Sequence, residues 1–262
     1  MSGFWMPHSS SVEFCEPNYL LTKYLVEPHN GWSSLAISLM ALIGLIAGNP
    51  TKESRFIAAF GVLFFVGIGS FGLHSTLHWT LQSADEVPML WENWAIIYCM
   101  IEIKSPVGQP RYKHLHVIIM AIAILQTIIY YRYQNFFTIF LISYISLVLI
   151  IVIWTAHLVL RDKVYEPLPV RWKLWSRALF SYVAVGSVVW ILDMNFCELL
   201  LPFYNQLGGL TLHILWHLAA GYGTYLTITL LVAIRCQNLG IDFELSWILG
   251  ILPACVEKKR IE

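Results

Sequence analysis

The chain has 262 residues, of which 58% are hydrophobic and only 12% charged, against roughly 25% charged in a soluble domain. Its formal net charge is zero, which excludes the basic surface of a nucleic-acid binder. This composition predicts an all-α, polytopic membrane protein built as one bundle, without a separate soluble domain.

In chain order, the N-terminal segment lacks a basic start and a continuous apolar core, so it does not resemble a cleaved signal peptide. It carries Glu13, Glu16, Asn18 and Glu27 with a single lysine, Lys23. Oxygen ligands of this kind suit Ca²⁺; a solvated acidic segment is the competing reading. Apolar runs of about 20 residues follow and mark membrane spans. Seven are predicted, at 31–48, 57–80, 84–103, 114–131, 135–160, 174–200 and 208–234. Of the sixteen Lys and Arg residues, all but Lys23 and Arg132 fall on one side of these spans. The positive-inside rule then puts the N-terminus in the lumen or outside the cell and the C-terminus in the cytosol. The organisation is a luminal acidic segment over 1–30, a seven-span domain over 31–235 and a cytosolic tail over 236–262. The tail ends in KRIE, which approximates a dibasic retrieval signal; plain positive-inside charge is the alternative.

Ionisable side chains within hydrocarbon are costly and by default functional. Span 2 carries Ser70 and His74, four apart on one helix face. Span 3 opens at Asp85, and a tight turn near Trp79–Thr80 brings it level with His74. Span 7 opens with His213 and His217, again four apart. Three histidines and a water make an open catalytic zinc site, with Asp85 and Ser70 beside it. The alternative for each histidine is a hydrogen bond to a neighbouring helix, the reading that suits His157. His78 competes as a ligand but lies nearer the aqueous boundary.

The order SSSVEFCEPNY, GS-x-x-x-H-x-T-L, DE-x-P-M, W-x-x-D-x-x-x-C-E (Trp190, Asp193, Cys197, Glu198) and H-x-x-W-H resembles the alkaline ceramidase family along nearly the whole chain. That family belongs to a superfamily of seven-helix membrane hydrolases that includes the adiponectin receptors. The resemblance implies Zn²⁺ on His74, His213 and His217. It implies Ca²⁺ on Glu13, Glu16, Asn18 and Glu27, with the main-chain carbonyl of Phe14. It also implies a Cys15–Cys197 disulfide, free thiols being the alternative. Glu13 and Phe14 stand where family members often have Asp and Trp, and Pro28 follows Glu27 where they often have an aromatic.

The activity so implied is hydrolysis of ceramide, a membrane lipid, to a sphingoid base and a fatty acid in the endoplasmic reticulum or Golgi. Asp85 would be the general base and Ser70 the oxyanion donor. No protein partner is inferred. A lipid-sensing receptor with a structural zinc is the second reading. A transporter has no support in paired broken helices or repeats.

Overall fold

A computed structural model describes residues 3–160 and 168–258. It is mostly helical: α1 (Pro28–Ala47), α2 (Ser54–Thr76), α3 (Trp79–Ile101), α4 (Leu115–Arg132), α5 (Phe137–Leu160), α6 (Leu168–Leu179), a π-helical segment (Phe180–Ser187), α7 (Val188–Asn195), α8 (Cys197–Gln206) and α9 (Leu212–Leu239). Among the described residues, six helices are long and apolar enough to cross a membrane; in the fifth of these, Pro169–Asn195, α6, the π segment and α7 run as one. The remaining long helix, α3, carries Asp85, Glu86 and Glu92 on buried positions.

The predicted sixth span, 174–200, shifts. Its helix starts six residues earlier, because the basic, aromatic stretch LPVRWKLWSRAL is itself helical. It ends at Asn195, where Phe196 leaves helical geometry before α8 begins. The expected tail over 236–262 also differs. α9 continues to Leu239, and Phe243–Ile248 pairs antiparallel with Leu252–Glu257, the one exception among the described residues to an all-α fold. Phe243, Leu245 and Trp247 alternate with exposed Glu244 and Ser246, the period-two signature of a strand. Positive φ at Leu249 and Gly250 makes the turn. KRIE, at residues 259–262, lies outside the described residues.

α1, α2, α3 and α9 form the centre of the bundle. α2 stops at Leu77, which takes a left-handed conformation, and the His78 side chain caps α3. So short a turn makes α2 and α3 antiparallel neighbours. They touch at Gly69, where a Cβ would collide with the Ala84 carbonyl. Pro88 has no N–H to offer that carbonyl four residues back, so helix contact and helix interruption coincide beside Ser70 and Asp85. Gly223 likewise lets α9 approach the Ala178 carbonyl and Tyr182.

At the far end from His74, buried Arg235 of α9 donates to both Glu53 oxygens and to the Ser105 carbonyl (2.6 Å). Arg55 donates to the same carboxylate. Burial alone would raise the Glu53 carboxyl, but hydrogen bonds from Arg235 and Arg55, with their charges, hold it below its usual range. This clasp joins the start of α2 and the end of α9 to the loop after α3.

Candidate active site

α2 and α9 bring His74, His213 and His217 together. All three are buried, at 1%, 2% and 3% exposure, and one ligand nitrogen from each lies within 4.8 Å of the others. Among the described residues this is the only such group of three metal-binding side chains. The His74 Nε2 and His213 Nδ1 atoms are buried without a hydrogen-bond partner among these residues. Orphaned imidazole nitrogens are expensive in an apolar interior, and a cation among them removes the cost. The donor set therefore fits a divalent metal.

Neighbouring groups fix the ring orientation. His74 donates its Nδ1–H to Glu27 Oε2 at 2.6 Å, which leaves the Nε2 lone pair facing inward. Ser33 gives its one hydroxyl proton to the Asn30 carbonyl at 2.9 Å. Its oxygen is then free to accept Nδ1–H of His217, at 2.8 Å. The His217 Nε2 lone pair therefore also faces the site, 3.3 Å from Ser70 Oγ. Ser70 in turn lies within hydrogen-bonding reach of Asp85. Outer partners of this kind are worth roughly 10–100-fold in metal affinity. Ser33→Ala is expected to weaken binding of a divalent metal by about tenfold, measured by competition with a chelating dye. Unchanged affinity would mean that another contact orients His217.

Sequence reading missed Ser33 altogether and assigned Glu27 only to calcium. A serine in an apolar run has no signal of its own; its partner is on the last helix. Asp193 is a further buried carboxylate. It accepts from Tyr204 at 2.7 Å, and the same Tyr204 oxygen accepts the Leu212 N–H at 3.3 Å. Asp193 thus anchors the first turn of α9, where a negative charge also suits the helix dipole, and so supports His213.

The N-terminal segment lies across this end of the bundle. A disulfide joins Cys15 to Cys197, with Cα atoms 5.4 Å apart. The Phe14 ring sits 4.6 Å from the His74 ring and 4.3 Å from the His213 ring. Glu13 and Asn18 meet at 2.6 Å, and Glu27 accepts the Phe14 N–H at 3.2 Å. Glu16 accepts the backbone N–H groups of His29 and Asn30 at the start of α1. Burial pushes the Glu27 carboxyl up to about 8, and Glu13 and Asp193 add to the rise through their negative charge. Burial also raises Glu16, to which Glu27 adds. Glu27 is thus shared: one oxygen faces the Phe14 backbone and the other His74.

Below the histidines lies a cavity of about 430 Å³, within the roughly 300–1,000 Å³ of small-molecule sites. Ser70, Asp85, His213 and His217 form its polar end, and its walls are mostly apolar. Ile145 and Leu149 of α5, with Val183 and Ile191 across from them, line the cavity and are also exposed on the outer surface. There the wall is a single side chain thick.

The fold and site define a multi-pass helical membrane protein with a buried three-histidine cluster at the end of a cavity with mostly apolar walls. The chain belongs to the ceramidase family, whose pattern matches residues 6–256. It is 30% identical to alkaline ceramidase 3 of Mus musculus, over 96% of this chain and 94% of that protein. It is 29% identical to the alkaline ceramidase of Arabidopsis thaliana, over 100% and 98%. With alkaline ceramidase YPC1 of Saccharomyces cerevisiae it shares 24% identity, over 98% and 87%.

Proposed function

We propose that this chain is a zinc-dependent intramembrane amide hydrolase that cleaves ceramide into a sphingoid base and a free fatty acid. The observation that carries the reading is the cavity that ends on His213, His217, Ser70 and Asp85, in a chain whose relatives are named alkaline ceramidases. A bound zinc ion would supply Lewis acidity, polarising the amide carbonyl and making a water more acidic.

The chain's own groups do the rest. His74, His213 and His217 hold the ion. Asp85 takes a proton from the attacking water. The Ser70 hydroxyl donates to the oxygen that becomes negative as the carbonyl carbon turns tetrahedral. Asp85 then returns the proton to the amine nitrogen as the C–N bond breaks. The thin wall between Ile145, Leu149 and Val183, Ile191 suits lateral entry of a two-chain lipid that need not leave the bilayer.

In this reading α3 is the seventh span despite its carboxylates, because these face the cavity. The clasp of Arg55, Arg235 and Glu53 marks the cytosolic end, and the histidines lie towards the lumen of the endoplasmic reticulum or Golgi. The decisive experiment is lipid mass spectrometry after incubating purified protein with mixed ceramides, with and without a zinc chelator. Chelator-sensitive release of free sphingoid base is expected. A protein that binds ceramide without releasing base would instead be a receptor with a structural zinc.

The reading also assigns Ca²⁺ to Glu13, Glu16, Asn18, Glu27 and the Phe14 carbonyl. Three carboxylates crowded at one end of the bundle, with Glu16 and Glu27 both raised, is an arrangement that a divalent cation relieves. Removing calcium is expected to lower the unfolding midpoint and slow turnover while leaving zinc bound. If neither changes, the segment is a solvated acidic stretch.

A further inference from the structure

One face of α3 runs down the cavity wall and carries Asp85, Glu86, Met89, Glu92 and Asn93. Glu92 lies seven residues, about 10 Å, beyond Asp85. Thr224, the same seven residues beyond His217 on α9, also lines the cavity. Glu92 is 4% exposed, and neither carboxyl oxygen has a hydrogen-bond partner among the described residues. A backbone donor near it, the Leu63 N–H, belongs to the interior of α2 and is engaged in that helix's own ladder. The Glu92 side chain lines the cavity while its carboxyl oxygens are buried behind the wall without a hydrogen-bond partner among the described residues, and a cation in the cavity supplies one when the side chain turns towards it.

The chemistry of the proposed reaction indicates which. Hydrolysis breaks the amide C–N bond, and the water oxygen stays on the acyl carbon as a carboxylate. One water proton reaches nitrogen through Asp85 as the C–N bond breaks, and the other passes from the new carboxylic acid to the freed amine, which becomes an ammonium. The two products carry opposite charges into a space with mostly apolar walls. A carboxylate wall repels one and attracts the other.

We propose that Glu92 is the counter-charge for the protonated amine product, forming a cation subsite two helical turns from the metal-binding end. This rests on the hydrolase reading for the identity of its ligand. The amine moves along α3 from Asp85 to Glu92 while the fatty acid stays at the histidine end, so the two products separate before either leaves.

The test uses the full-length protein in detergent and compares three inhibitors of equal chain length: a sphingoid base, a fatty alcohol and a fatty acid. For the unmodified protein the amine is expected to inhibit about tenfold more strongly than the alcohol. Glu92→Gln is expected to abolish that preference, Glu92→Asp to keep most of it, and fatty-acid inhibition to change less than about twofold in either. Equal inhibition by amine and alcohol in the unmodified protein overturns the proposal without any variant. So does an amine preference that survives in Glu92→Gln. Should ceramide not be turned over at all, displacement of a fluorescent sphingoid base reads the same preference. Failure of the hydrolase reading and failure of the subsite are then separate results.

Discussion

His217→Ala is expected to lose both bound zinc and hydrolysis, the first read by elemental analysis and the second by release of sphingoid base. The loss should far exceed the roughly 10–100-fold that a missing outer partner costs, because His217 sits where three independent contacts meet. It supplies one of three nitrogens within 4.8 Å of one another, its Nδ1 is held by Ser33, and Ser70 lies 3.3 Å from its Nε2. Deleting it leaves two imidazoles, too few for a structural or catalytic zinc site. His213→Ala should behave alike, since both residues share one face of α9. The unfolding midpoint separates this effect from misfolding: the clasp at Arg235 is at the other end of the helix and remains. Wild-type zinc content with normal turnover would remove the cluster from the mechanism.

Asp85→Asn is expected to keep zinc and lose about 10²- to 10⁴-fold in turnover, the range for a lost general base. The substitution is nearly isosteric, and Asp85 is not one of the three clustered ligands, so metal content should hold. An amide cannot accept the water proton, whereas the neighbouring packing of Gly69 against Ala84 is untouched. The informative alternative is Glu86, the next residue along α3, which also lines the cavity and accepts from Gln82 at 2.9 Å. Near-normal turnover in Asp85→Asn, abolished when Glu86→Gln is added, would move the base by one residue.

Much of this site could be read before the structure, for a definite reason. Ionisable residues in apolar runs stand out against hydrocarbon, and i, i+4 spacing needs only helical geometry. His74 and Asp85 could be placed at one level because two helices joined by a short turn have little freedom. Contacts set by tertiary packing were not legible. Ser33 reaches His217 across 184 residues, and nothing in WSSLAISL distinguishes Ser33 from Ser34, which instead donates to the Gly31 carbonyl. Glu27 was read from its neighbours in sequence as part of an acidic segment, while its closest partner proved to be a histidine on α2. The terminal hairpin was missed because its polar positions, Glu244 and Ser246, read as an ordinary exposed segment when the apolar alternation between them is ignored.

The division of the three imidazoles between α2 and α9 has a consequence for biosynthesis. A ribosome delivers the helices in order, and until the last one has been released into the bilayer the chain holds a single imidazole of the cluster. No product terminated before residue 217 can bring the three imidazoles together. The acidic segment and Cys15 emerge first yet wait for Cys197 and for α9 before they have anything to cover. Chemistry capable of cutting membrane lipid thus arises only after translation has passed residue 217, so the order of synthesis itself keeps unfinished chains inert.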